Sequence, residues 1–322
     1  CIRDRVATAV AAGCPVIVKP ASTTPLSCYK FVEILHECGL PREWCQMVMP
    51  ENHALSGKMA SDHRVAFFSF IGSARVGWQL RSKLAAGTRA ALEHGGGAPV
   101  IVDRTADIDK MIPLLLKGGY YHAGQVCVSV QRVFVHNDQM EEVAERLKTG
   151  AEQLVVGDPL DGKTDVGPLI RSAEVDRIDE WVHEALDDGA ELLAGGTRID
   201  KNCYAPTLLL NPSQNVRVSR EEVFGPLICL YSYSDTDTAI EQANSLEVAF
   251  QAAVFAQDID RAVDIYHKLD AATVMINDHT AFRQDGMPFA GLRESGLGIG
   301  GIPYTIEEMQ IEKMMVIRSV LA

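Results

Sequence analysis

Cys127 lies in HAGQVCVSVQR (122–132), between a Gly-Gln turn and a run of alternating apolar residues. A thiolate is soft and strongly nucleophilic, so a cysteine exposed by a turn can attack an electrophilic carbon. Carboxylates also sit beside flexible backbone: Glu93 in LEHGGG (92–97), and Glu221 and Glu222 in REEVFGP (220–226). A carboxylate so placed can move protons, although a single acid near a glycine turn is common and usually structural. Cys14, Cys28, Cys38 and Cys45 fall in apolar strand or helix patterns and read as packing, as do Cys203 and Cys229. No C-x-x-C pair and no zinc-finger spacing occurs, so no metal is expected. Unpaired thiols in a chain of 322 residues point to a reducing, cytoplasmic setting.

Two further segments could meet a phosphate or a ribose. FIGSARVG (70–77) puts Gly72 and Gly77 after a strand and at the opening of a helix, where backbone N–H groups favour an anion. Its G-x-x-x-x-G spacing is neither the dinucleotide fingerprint nor a P-loop, so an ordinary strand-to-helix turn explains it as well. VIVKPAS (16–22) places Lys19 at the end of a buried strand, the end at which parallel sheets bind ligands. A solvated lysine is the plainer alternative.

The elements that must position these residues alternate along the chain. PVIVK (15–19) reads as a buried strand, followed by a helix with Phe31, Ile34, Leu35 and Cys38 on one face. Short apolar runs at 45–49 and 65–70 follow. The alternation resumes at 98–102, 130–136, 227–233, 252–256 and 273–277, with helical periods between. Strand-helix-strand order implies parallel sheets covered by helices. HGGGAP (94–99) marks the boundary between two units. Thirty basic against 43 acidic residues give a net charge of −13, which favours solubility and disfavours nucleic acid and membrane surfaces. The N-terminal apolar stretch is broken by Gly13 and Pro15 and is too short to span a bilayer. Its AAGC resembles a lipoprotein cleavage site only faintly, and the missing initiator Met suggests a chain that begins inside a fold.

Taken in order, VIVKPAS, FIGSARVG, LEHGGG, HAGQVC, GDPLDGKTDVGPLI (157–170), EEVFGP and MPFAG (287–291) resemble the NAD(P)-dependent aldehyde dehydrogenase superfamily. The resemblance runs from about residue 6 to the end, and Glu93 and Cys127 stand 34 residues apart, as in the family pattern. It implies an α/β fold of two parallel-sheet domains. Residues 1–94 would be a partial Rossmann-like cofactor domain lacking its first strands, and 95–303 the catalytic domain. Residues 304–322 would be a tail whose EEMQIEKMMVIRSV pairs as a strand between subunits of a homodimer or homotetramer.

The same resemblance assigns roles. Cys127 adds to a small-molecule aldehyde as a thiohemiacetal, hydride leaves to NAD or NADP, and Glu93 activates the water that hydrolyses the thioester. Lys19 and Ser22 match positions near the adenine ribose, and Gly72, Ser73 and Gly77 the pyrophosphate turn. Glu222 and Phe224 match the nicotinamide end. Ser22 stands where NAD-preferring members often carry Glu, which leaves both dinucleotides open. Phe282 and Phe289 are candidate walls of an aldehyde tunnel, and Arg283 a partner for a carboxylate, phosphonate or sulfonate.

Departures from the family pattern set the competing readings. His94 replaces a common Leu and Gly97 a common Lys or Asn; His94 and His122 both read as structural. The P-W/F-N segment that supplies an oxyanion-hole Asn is absent, a loss of roughly 3–4 kcal/mol in comparable sites. CIRDR does not match the family's apolar helix, so the first five residues look foreign. The alternatives are therefore an inactive piece acting as a binding partner, a coenzyme-A-acylating relative, or a cofactor-free thioesterase. Glu93 argues against the acylating branch.

Overall fold

A computed structural model of the protein describes residues 2–319. The first part runs α1 (Ile2–Ala11), β1 (Val16–Val18), α2 (Leu26–Glu37), β2 (Cys45–Met47) and α3 (His53–Ala60), then β3 (Phe67–Ile71), α4 (Ala74–Arg81) and β4 (Arg89–Glu93). β1 pairs in parallel with β2, and β3 with β4. Asn52 starts α3 by accepting the Leu55 N–H at 3.0 Å. Val6, Val32 and Cys45 form a small core with Val16, Val18, Phe31 and Leu35 around it.

Three expectations change here. β1 is not buried: Ile17 is 58% exposed, because alternate side chains face opposite sides and only the Val16/Val18 side is covered. The buried face of α2 carries Cys28 and Val32, with Phe31 and Leu35 beside them, while Ile34 and Cys38 are exposed. The apolar period of α2 was right and its phase was shifted toward the N-terminus. Cys38 is thus not a packing thiol, whereas Cys28, Cys45, Cys203 and Cys229 are. Residues 2–5 are not foreign to the fold either. They open α1, which buries Asp4 and Val6 and lies along α11 (Ile302–Met309) at the other end of the chain.

The second part supplies β5 (Pro99–Val102), α5 (Ile108–Tyr120), β6 (Arg132–His136), α6 (Asn137–Gln153) and α7 (Ser172–Asp187). β7 (Glu191–Ala194), β8 (Thr207–Leu210), α8 (Arg217–Arg220), β9 (Leu227–Tyr233) and α9 (Thr236–Ala243) follow. After β10 (Val248–Ala249) come β11 (Gln251–Phe255), α10 (Ile259–Lys268), β12 (Thr273–Ile276), β13 (Leu292–Arg293) and β14 (Gly296–Leu297). A seven-stranded sheet in the order β12-β11-β5-β6-β9-β8-β7 forms the main core, parallel except for the β7–β8 pair. Its central strands are apolar on both faces, as in Val100–Val102, Val133–Val135 and Ile228–Leu230, because helices cover both sides.

The two parts are joined by more than the 94–98 connection. β14 returns from the far end of the chain and pairs antiparallel with β4, setting Gly296 opposite Glu93. The three-stranded sheet β14-β4-β3 thereby braces the strand that carries Glu93. Beyond α11, residues 310–319 form no strand. Ile311, Met314, Met315, Val316 and Ile317 are 78–86% exposed there. A strand needs a neighbouring strand to pair with, and among the described residues no strand pairs with that segment. The remainder of the expected strand, Val320, lies outside the described residues, as does Cys1. Among the described residues no helix is long and apolar enough to cross a membrane.

Candidate active site

Glu93 is the last residue of β4, and its side chain is almost fully buried. Arg5 reaches it from α1, with Nη2 2.9 Å from the Glu93 carboxylate, and Nη1 donates to Thr305 of α11 at 3.2 Å. Both partners are shielded from water, so the pair is far stronger than a surface ion pair of the same length.

Cys127 occupies a turn closed by the Ser129 N–H on the Val126 carbonyl. The chain arrives there through three consecutive left-handed residues: His122 at φ 51°, Ala123 at 55° and Gly124 at 69°. For His122 and Ala123 that conformation costs about 1–2 kcal/mol each. The surroundings hold them in it. A Cβ at Gly124 would come within 1.9 Å of the Gly225 carbonyl, so this loop sits directly on the one that carries Glu222. Gln125 donates to Pro168 O and accepts from Ile170 N, and Thr280 donates to Val128 O at 2.6 Å.

The Glu222 loop is fixed from beneath by Gln131. Its amide nitrogen donates to Glu221 O at 2.7 Å and its oxygen accepts Val223 N–H at 2.9 Å. The Glu222 carboxyl lies against Gly95, where a Cβ would fall 1.7 Å from Oε1. That oxygen is buried and has no hydrogen-bond partner among the described residues. Burial pushes the carboxyl up to about 7, against the Gly96 N–H and the charge of Arg177. Phe224 follows in a left-handed conformation, φ 49°, and is 42% exposed.

Three segments far apart in sequence therefore converge on one sulfur. Burial raises the Cys127 thiol to about 12, with the Glu93 and Glu222 carboxylates adding to it. Its own backbone N–H and the charge of Arg283 pull the other way. Arg283 is itself engaged: Nη2 donates to Asp4 at 2.6 Å and the guanidinium lies 3.9 Å over the Phe289 ring. Burial works to raise the Asp4 carboxyl, but hydrogen bonds from Arg283 and Arg3 outweigh it and hold the group below its ordinary value. Phe289 is buried edge-on against Phe250 in a cluster that includes Cys127, whereas Phe282 is more exposed and outside it.

At the strand-to-helix turn, Gly72 and Ser73 are exposed ahead of α4, and the Ser73 hydroxyl makes no capping bond. The turn is tied to the site, since the Gly72 N–H donates to Glu93 O at 3.2 Å. A Cβ at Gly77 would lie 2.0 Å from the His94 ring, so the missing side chain makes room for that histidine. Lys19 is half-buried just after β1 and makes no side-chain hydrogen bond or ion pair among the described residues, and Ser22 is exposed. No described contact joins either of them to the Cys127 cluster. His122 is exposed and rests on Tyr121, with ring centroids 4.9 Å apart.

Arg5, Asp4 and Gln131 escaped the sequence reading. Arg5 and Glu93 are 88 residues apart, Asp4 and Arg283 279 apart, and Gln131 and Glu221 90 apart. No local pattern marks such partners.

The model of the aldehyde dehydrogenase family matches residues 2–315. A 3-sulfolactaldehyde dehydrogenase of Priestia aryabhattai is 38% identical over 310 residues, which is 96% of this chain and 64% of that protein. The chain thus spans a little under two thirds of that relative's length. The crystal structure of aldehyde dehydrogenase 21 from Physcomitrella patens, in complex with the reaction product succinate, superposes with a TM-score of 0.95 at 34% identity. It covers 99% of this chain and 66% of that one. A glyceraldehyde-3-phosphate dehydrogenase from Methanocaldococcus jannaschii, complexed with NADP, gives 0.91 at 35% identity over 95% of this chain and 67% of that one.

Proposed function

The chain belongs to the aldehyde dehydrogenase family, and from that premise we propose that it oxidises an aldehyde to its carboxylic acid with NAD or NADP. The observation that carries this reading is the convergence of Glu93 and Glu222 on Cys127. Cys127 is the nucleophile. Its sulfur adds to the aldehyde carbon, giving a thiohemiacetal whose oxygen the cysteine's own backbone N–H can stabilise. The chemistry a bound dinucleotide supplies is acceptance of a hydride. Glu93 then takes a proton from water as that water attacks the acyl thioester on Cys127, and Arg5 holds the carboxylate in place.

The residues fit a dinucleotide. The orphaned, buried Glu222 oxygen lacks a donor such as a ribose hydroxyl, and the Ser73 hydroxyl at the start of α4 makes no capping bond. Lys19 and Ser22 would hold the adenosine end, with Phe224 and Glu222 at the nicotinamide end. Substrate-dependent NADH or NADPH formation at 340 nm tests the function. Cys127→Ser should abolish it, and full activity in that variant would refute the assignment.

A finer reading concerns the aldehyde. Arg283 is charged, close enough to act on Cys127 and only partly exposed, which favours aldehydes carrying an anionic group. The relatives named for 3-sulfolactaldehyde and bound to succinate act in the same sense. If the face of that guanidinium not taken by Asp4 meets the substrate, Arg283→Gln should raise KM for an anionic aldehyde and leave a neutral one unchanged. The exposed apolar tail at 311–317 supports strand pairing with a second copy in a homodimer or homotetramer.

A further inference from the structure

His94 follows Glu93 directly, and its ring is almost wholly buried between Phe70, Trp78 and Gly77. Nδ1 lies 2.7 Å from the Gly72 carbonyl. A carbonyl only accepts, so Nδ1 carries the proton and Nε2 is left as a bare lone pair. Nε2 is buried with no partner among the described residues. An aliphatic residue would fill this cage without stranding a polar atom, so volume alone does not explain an imidazole here. What only the imidazole provides is the bond to Gly72.

That bond completes a reciprocal pair. The Gly72 N–H donates to Glu93 O, and His94 returns a hydrogen bond to Gly72 O. Both backbone groups of Gly72 are thereby committed to two consecutive residues at the end of β4. The His94 N–H donates in turn to Ser295 O at 2.8 Å, anchoring the same point to the residue just before β14. Gly77 completes the arrangement by leaving space for the ring.

We propose that His94 is a positioning residue that locks the Gly72–Ser73 turn to the Glu93 strand, so that the dinucleotide and the general base are set by one rigid unit. This rests on the dehydrogenase reading. With the imidazole removed, the turn keeps one of its two ties and samples orientations that do not receive the dinucleotide. The loss falls on dinucleotide affinity, because the free turn must be ordered when ligand binds. It does not fall on the aldehyde.

The test is calorimetric titration of the purified whole chain with NAD+ and NADP+, alongside steady-state kinetics. His94→Leu removes the hydrogen bond, and His94→Asn restores a donor where Nδ1 stands. The Leu variant should bind the preferred dinucleotide about five- to tenfold more weakly, the loss expected for one hydrogen bond. Its aldehyde KM should be unchanged, and the Asn variant should return to within about twofold of the parent. Equal affinity in the Leu variant and the parent would overturn the proposal. So would equal impairment of both variants, which is the signature of a role in packing alone. If the parent binds neither dinucleotide, the dehydrogenase reading itself fails and the proposal falls with it.

Discussion

Replacing Glu93 by Gln should make Cys127 more reactive toward an alkylating agent while it stops thioester hydrolysis. A thiol at about 12 is only ~10⁻⁴ thiolate at pH 8, and the rise from 9.0 corresponds to about 4 kcal/mol. Burial contributes most of that, and the Glu93 charge comes next. Removing one neighbouring unit charge in a medium of intermediate dielectric relieves on the order of 1–2 kcal/mol, which is about one pKa unit. The unpaired Arg5 cation, left behind, acts in the same direction. A thiolate of lower pKa is also a weaker nucleophile, which takes back roughly half of the gain. The net expectation is a two- to sevenfold faster reaction with iodoacetamide at about pH 8, followed by mass spectrometry of the peptide that contains Cys127. In the parent, the rate should climb tenfold per pH unit to at least about pH 10. A parent rate that levels off near pH 8.5 would show that the thiol is not raised. Slower alkylation in Glu93→Gln would mean that Glu93 deprotonates the resting cysteine, the opposite of the electrostatics described above.

Arg5→Met removes the guanidinium that faces the buried Glu93 carboxylate, and chemical denaturation should report a loss of up to about 3–5 kcal/mol; an unchanged midpoint would show that the pair contributes little. Asp103 is fully buried against Arg261. Burial works to raise its carboxyl, but hydrogen bonds from Arg261 and Thr105 outweigh it and hold the group below 3.8. Because the folded-state value is the lower one, its stabilisation is complete above the unfolded value and drains away as pH falls through the folded one. Urea midpoints followed from about pH 6 to about pH 3 should therefore fall more steeply in the parent than in Asp103→Asn, which is destabilised throughout.

Much of this molecule could be read from local pattern. Cys127 in a turn, Glu93 at a strand end and the alternation of strands with helices depend on residues a few positions apart, and periodicity and turn chemistry expose such features. Short motifs kept in order carried the family. The phase of α2, the open face of β1 and the exposed tail could not be read the same way. They depend on which neighbouring surfaces exist to cover an apolar side chain. The partners of charged and polar groups were the least legible. Arg5 finds Glu93, Arg283 finds Asp4 and His94 finds Gly72 only once α1, β14 and the Gly72 turn have been brought together. Sequence by itself determined which residues have the chemistry. Tertiary structure decided their charge environment, because the energy of a charge depends on what surrounds it in space and not on what precedes it in the chain.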